Sequence, residues 1–81
     1  MPRFYFHVCN GNGFDQDEEG QELPNVEAAR LAAVRHARSI MAGDVRRGIL
    51  DLSSFVEIED ESKQLVETLC FAEALDMTKR H

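Results

Sequence analysis

The chain has 81 residues, 43% hydrophobic and 30% charged, and its 15 acidic against 9 basic side chains leave a net charge of −6. That length holds one small core and excludes a second domain, so residues 1–81 are expected to form a single domain. The apolar content excludes a disordered chain, no apolar run approaches the ~20 residues of a membrane span, and the negative charge repels phosphate backbones and anionic membranes at long range.

From Arg3 to Val8 the chain is rich in aromatic and β-branched residues. Phe4, Phe6 and Val8 alternate with Tyr5 and His7, as in a strand covered on both faces. Asn10-Gly11-Asn12-Gly13 follows, residues that tolerate positive φ, so the chain reverses there and Phe14 begins a short return strand. The acidic run Asp15, Asp17, Glu18, Glu19, Gly20 interrupts that strand with a second turn before Gln21-Glu22-Leu23 leads to Pro24.

Asn25 is a good N-cap and Glu27 sits in the first turn, where the helix dipole favours negative charge. At about 100° per residue, Val26, Ala29, Ala33, Val34, Ala37, Ile40 and Met41 share one arc, with Arg35, Arg38 and Ser39 opposite. Small residues dominate this arc and favour close approach to a sheet. Gly43-Asp44 disturbs the pattern; the favoured reading is a helix that continues through Val45-Arg46-Arg47 to a C-terminal Gly48.

A second hairpin follows, with Phe55 to Glu59, a turn at residues 60–63, and Gln64 to Cys70. Apolar spacing in residues 71–77 suggests a short terminal helix. The fold class is therefore α+β, in the order ββαββ(α), one long helix on a small antiparallel sheet. One helix covers one face. Tyr5, His7, Val66, Thr68 and Cys70 are expected opposite Phe4, Phe6, Leu65 and Leu69, and the simplest cover for that second face is another copy of the chain.

The segments Pro2-Arg3-Phe4-Tyr5-Phe6-His7-Val8, Asp17-Glu18-Glu19-Gly20-Gln21-Glu22-Leu23-Pro24, Glu27-Ala28-Ala29-Arg30, and Asp44-Val45-Arg46-Arg47-Gly48 with Leu50-Asp51-Leu52-Ser53 are specific as an ordered set. In combination they resemble an uncharacterised family of short bacterial proteins, a domain of unknown function. The resemblance spans nearly the whole chain and implies one domain, with no activity, cofactor or catalytic residue attached. The element order is also similar to small antitoxin-like modules that bind a partner protein, an analogy of fold that does not fix function.

Five arginines, Arg30, Arg35, Arg38, Arg46 and Arg47, fall within 18 positions, with Asp44 the sole acid among them. Guanidinium groups so arranged could grip phosphates. Against this stand the net charge, the lack of interleaved aromatics, and the acids of residues 15–22, which can neutralise the stripe within the fold or across a dimer. Arg30 stands apart, because its wheel position lies within the apolar arc. A charge there needs a partner, so Arg30 is predicted to be markedly less exposed than Arg35 or Arg38 and bonded to a carboxylate such as Glu27 or a strand glutamate, or to a carbonyl.

Asp15-x-Asp17-x-Glu19-Gly20 follows the start of a calcium loop, but the register fails where a bidentate glutamate is required. His7-x-Cys9 puts an imidazole and a thiol on one strand face, but His36 and Cys70, which would complete a zinc set, are not paired at ligand spacing, and no nucleophile can be tied to a base. No metal or cofactor is expected. Two cysteines are too few to staple a secreted scaffold and residues 1–7 carry no signal-type apolar stretch, so the reading is cytoplasmic with free thiols. The function expected is a small non-enzymatic interaction or regulatory module, homodimeric, with an unknown protein partner and no membrane association. Tyr5, His7 and the five arginines are its candidate contacts. The alternative is nucleic-acid or anion binding through the arginine stripe.

Overall fold

A computed structural model describes residues 1–10 and 13–75. The expected turn at 10–13 and the end of the expected terminal helix fall partly outside them. The strands are β1 (Arg3–Asn10), β2 (Gly13–Asp15), β3 (Gln21–Glu22), β4 (Phe55–Glu59) and β5 (Leu65–Cys70), with one helix, α1 (Val26–Arg46), between β3 and β4. The order ββαββ of an α+β fold is thus realised, with the return strand split into β2 and β3 by the acidic turn. β4 lies along one side of β1, both β2 and β3 along the other, and β5 is the far edge; every pairing is antiparallel.

The α1 boundaries have local causes. The Asn25 side chain accepts the Ala28 N–H at 2.8 Å, satisfying a donor the first turn would otherwise leave open. The helix runs through Gly43-Asp44, because Asp44 is ion-paired to Arg47 three residues on. It stops in a Schellman arrangement. Gly48 adopts φ +81°, its N–H donates to the Val45 carbonyl, and Ile49 N–H donates to the Asp44 carbonyl.

Ala29, Ala33, Ala37 and Met41 form the buried stripe of α1 and rest on Phe4, Phe6, Val8, Val56, Ile58 and Leu69 of the sheet. Alanines spaced four apart let the helix approach closely, while the sheet provides the volume. Each large aliphatic or aromatic side chain removed from water here contributes about 1.5–3 kcal/mol.

Three expectations need correction. Leu65 and Val66 exchange roles: a register shift between Ile58 and Glu59 pairs Leu65 with Glu59, leaving it 57% exposed, while Val66 packs against the core. An irregularity in a strand moves every later side chain to the opposite face, and strict alternation misses it. The terminal helix is a short 3-10 turn, Phe71–Ala74, which buries Phe71 and Ala74. Arg38 does not face freely away from the core, since its Nε donates to the Ala74 carbonyl at 2.6 Å and ties that turn to α1.

Candidate functional site

The acidic segment after β2 is a clasp on β1. Between β2 and β3 no strand lies along β1, so the Phe6 N–H would lack a partner; the Asp17 carboxylate accepts it at 3.1 Å. Its other oxygen accepts the N–H groups of Glu19 and Gly20. Burial of this carboxyl opposes ionisation, but the bonds from Phe6, Gly20 and Glu19, with His7 nearby, outweigh it and hold the group below the usual aspartate value. Arg3 completes the clasp by donating to the Glu19 carbonyl at 2.7 Å and to the Glu22 carboxylate at 3.2 Å. Gly20, at φ +71°, passes so close to β1 that a Cβ there would lie 2.8 Å from the Phe4 carbonyl oxygen.

His7 is only 3% exposed although it sits on the face away from α1. The clasp and Phe14 cover it: the Asp17 N–H donates to Nδ1 at 3.0 Å, and the Phe14 ring centroid is 5.5 Å away. Since an amide can only donate, Nδ1 is the acceptor, and the ring proton on Nε2 donates to Glu59 at 3.0 Å. Both ring nitrogens are engaged within the fold. Tyr5 stands on the same face, half-buried, with the Lys63 ammonium 5.7 Å from its ring centre.

Of the other zinc-type residues, Cys9 and Cys70 each oppose Phe55, Cys9 from β1 and Cys70 from β5, and both thiols are free; His36 is exposed on α1. Burial, then the Glu57 carboxylate, raises the Cys9 thiol above its usual pKa, which disfavours the reactive thiolate. Among the described residues no three His, Cys, Asp or Glu side chains converge on a common point as metal ligands.

The arginine stripe divides. Arg30 Nε lies 2.7 Å from the Glu67 carboxylate on β5, the predicted strand glutamate. The predicted burial is absent, however: its side chain is 45% exposed, and Arg30, Arg35 and Arg38 are all exposed residues. Arg30 lies over the edge strand, where the sheet ends and the guanidinium reaches water past it. Arg38 is tied to Ala74 and Arg47 to Asp44, which leaves Arg35 and Arg46 without a charged partner among the described residues.

Beside Arg46 lies a groove that sequence reasoning missed. It is an open depression of about 440 Å³ lined by Arg38, Met41, Ala42, Val45 and Arg46 of α1 and by Leu50 and Leu75. Val45 and Leu50 are 58% and 47% exposed. The available signal was the pair of apolar residues Ala42 and Val45 on α1, beside the arc assigned to the core.

The family model for a domain of unknown function, DUF6894, matches residues 3–72. The chain belongs to this family. No curated protein and no solved structure matches the DUF6894 chain. In this DUF6894 domain the matched range takes in every strand, all of α1 and the clasp. No described helix is long and apolar enough to cross a membrane.

Proposed function

We propose that this domain is a small non-enzymatic interaction module that works as a homodimer, two copies joining along the free edge of β5. The observation that carries the reading is that edge. Phe71 N–H donates to the Ser54 carbonyl, and the antiparallel alternation then turns the N–H and C=O of Thr68 away from β4. Native sheets guard such edges with lysine, proline, a covering segment or a bulge, and the register shift of β5 lies only at its start. Here residues 65–70 contain neither lysine nor proline, the charge of Glu67 is engaged by Arg30, and Leu65 is exposed beside it. At the end of the strand Glu73 accepts the Cys70 N–H, which limits the open stretch to its middle. A two-fold axis at Thr68 gives a threonine pair and one continuous sheet.

The non-enzymatic part is supported by the engagement of both His7 nitrogens and by the raised Cys9 thiol. Phosphate binding along α1 has less support, because Arg30 and Arg47 already have carboxylate partners. Sedimentation at micromolar concentration tests the dimer. The native chain is expected at twice its 9.2 kDa mass, and Thr68→Pro, which removes an outward N–H without breaking the β4 ladder, at the monomer mass. A native monomer, or a dimer indifferent to Thr68→Pro, overturns the reading.

A further inference from the structure

The groove along the last two turns of α1 combines an apolar lining with cations that have no acidic partner among the described residues. Arg38, Ala42, Val45 and Arg46 follow the i, i+4, i+7, i+8 spacing of one helix face, with Leu50 and Leu75 across from them. Exposed leucine and valine in a continuous trough mark a contact surface more often than a solvated one. Arg46 has no charged partner among the described residues, and Arg38 uses only Nε on the Ala74 carbonyl. We propose that this groove docks an acidic amphipathic helix of a partner protein, with aliphatic side chains in the trough and carboxylates on Arg38 and Arg46.

Charge complementarity selects that occupant. A second copy docking through the same face would set Arg38 and Arg46 against their own equivalents. The chain's own acidic run, residues 15–22, has no apolar residue to fill the trough. Nucleic acid would meet aliphatic walls without an aromatic stacking platform. A helix suits the site, because Arg38, Ala42, Val45 and Arg46 form one row along α1 against which a second helix can lie, as in helix-in-groove recognition. Arg38 and Arg46 are eight residues apart, about 12 Å along the axis, so a docked helix would offer them acids seven or eight positions apart.

The test uses a fluorescein-labelled 16-residue peptide with leucines at i, i+3 and i+7 and glutamates seven apart on the flanking row, titrated with the full chain by anisotropy. Micromolar binding is expected. Arg46→Glu should weaken it about tenfold or more, a lysine-for-glutamate peptide should reverse that preference, and Val45→Ser should weaken it while leaving the melting curve in place. Because the groove belongs to the helix layer and the proposed dimer edge is β5, Thr68→Pro should bind the peptide unchanged, so dimer and groove succeed or fail separately. Failure to bind at several hundred micromolar, binding indifferent to Arg46 and Val45, or self-association or low-salt duplex DNA binding that Arg46→Glu abolishes would each overturn the proposal.

Discussion

The clasp on β1 and the groove on α1 treat their charges in opposite ways. In the clasp Asp17 serves three backbone donors, His7 uses both ring nitrogens, and Arg3 meets Glu19 and Glu22. In the groove the apolar walls are open and Arg46 meets no carboxylate among the described residues. The acidic run, conspicuous in composition, works internally by substituting side-chain acceptors for a missing strand. The groove proposed for a partner lies where the chain is locally basic. Net charge averages over the whole chain and does not show that its acids are engaged internally while its basic residues cluster on α1.

The contrast breaks most sharply at Gly20. Alanine there must hold φ +71° and place Cβ 2.8 Å from the Phe4 carbonyl oxygen and 2.9 Å from the Arg3 and Tyr5 side chains. The left-handed backbone costs an L-residue about 1–2 kcal/mol, and displacing β1 or the clasp adds to it, so Gly20→Ala should destabilise by about 3 kcal/mol. Urea titration reads the loss as a lower midpoint at similar slope. A change below about 0.5 kcal/mol would mean the clasp is not a fixed part of the fold.

Asp17→Asn should cost about 1–2 kcal/mol near neutral pH, because the amide retains one acceptor where three donors converge. Its pH dependence has a definite sign. The folded-state pKa of Asp17 lies below the unfolded value, so its contribution is complete above the unfolded carboxyl pKa, about 3.9, and is lost as pH falls through the folded value. The stability gap between native protein and variant should therefore be constant near neutrality and narrow below about pH 4. A gap that persists unchanged to about pH 2 would show that the carboxylate charge contributes nothing.

The parts of the fold legible in advance were those set by local chemistry. The Asn25 cap, the Gly48 stop and the alternation of β1 need only neighbours along the chain, and each was read at the right residues. What was illegible depended on distant segments. That Asp17 stands in for a strand follows from β2 and β3 parting along β1; the exchange of Leu65 and Val66 follows from a register shift of β5 against β4. The groove walls at Leu50 and Leu75 are joined only by the fold. Arg30 lay between these cases, since a helical wheel located its need for a partner but could not know that β5 is an edge.

That edge sets the smallest of the expected effects. Arg30 and Glu67 meet at 2.7 Å with side chains 45% and 28% exposed, so water screens the pair and each charge retains part of its hydration. The 1–3 kcal/mol appropriate to a buried arginine therefore does not apply, and Arg30→Ala should cost about 0.5–1 kcal/mol. Arg35→Ala, which removes a side chain without a charged partner, should fall within about 0.3 kcal/mol of zero. The two mutants alone cannot separate the ion pair from the packing of the Arg30 stem along α1. A double-mutant cycle with Glu67→Gln can, because the stem contribution cancels and the coupling is left. That coupling should be about 0.5 kcal/mol at low salt and decline as ionic strength rises, since an exposed pair is screened within a Debye length of about 10 Å at 0.1 M. Zero coupling would make Arg30 equivalent to Arg35 and remove the internal neutralisation of Glu67. The β5 edge would then carry an unpaired charge, a guard against strand pairing rather than an invitation to it, and the proposed dimer contact would weaken with it.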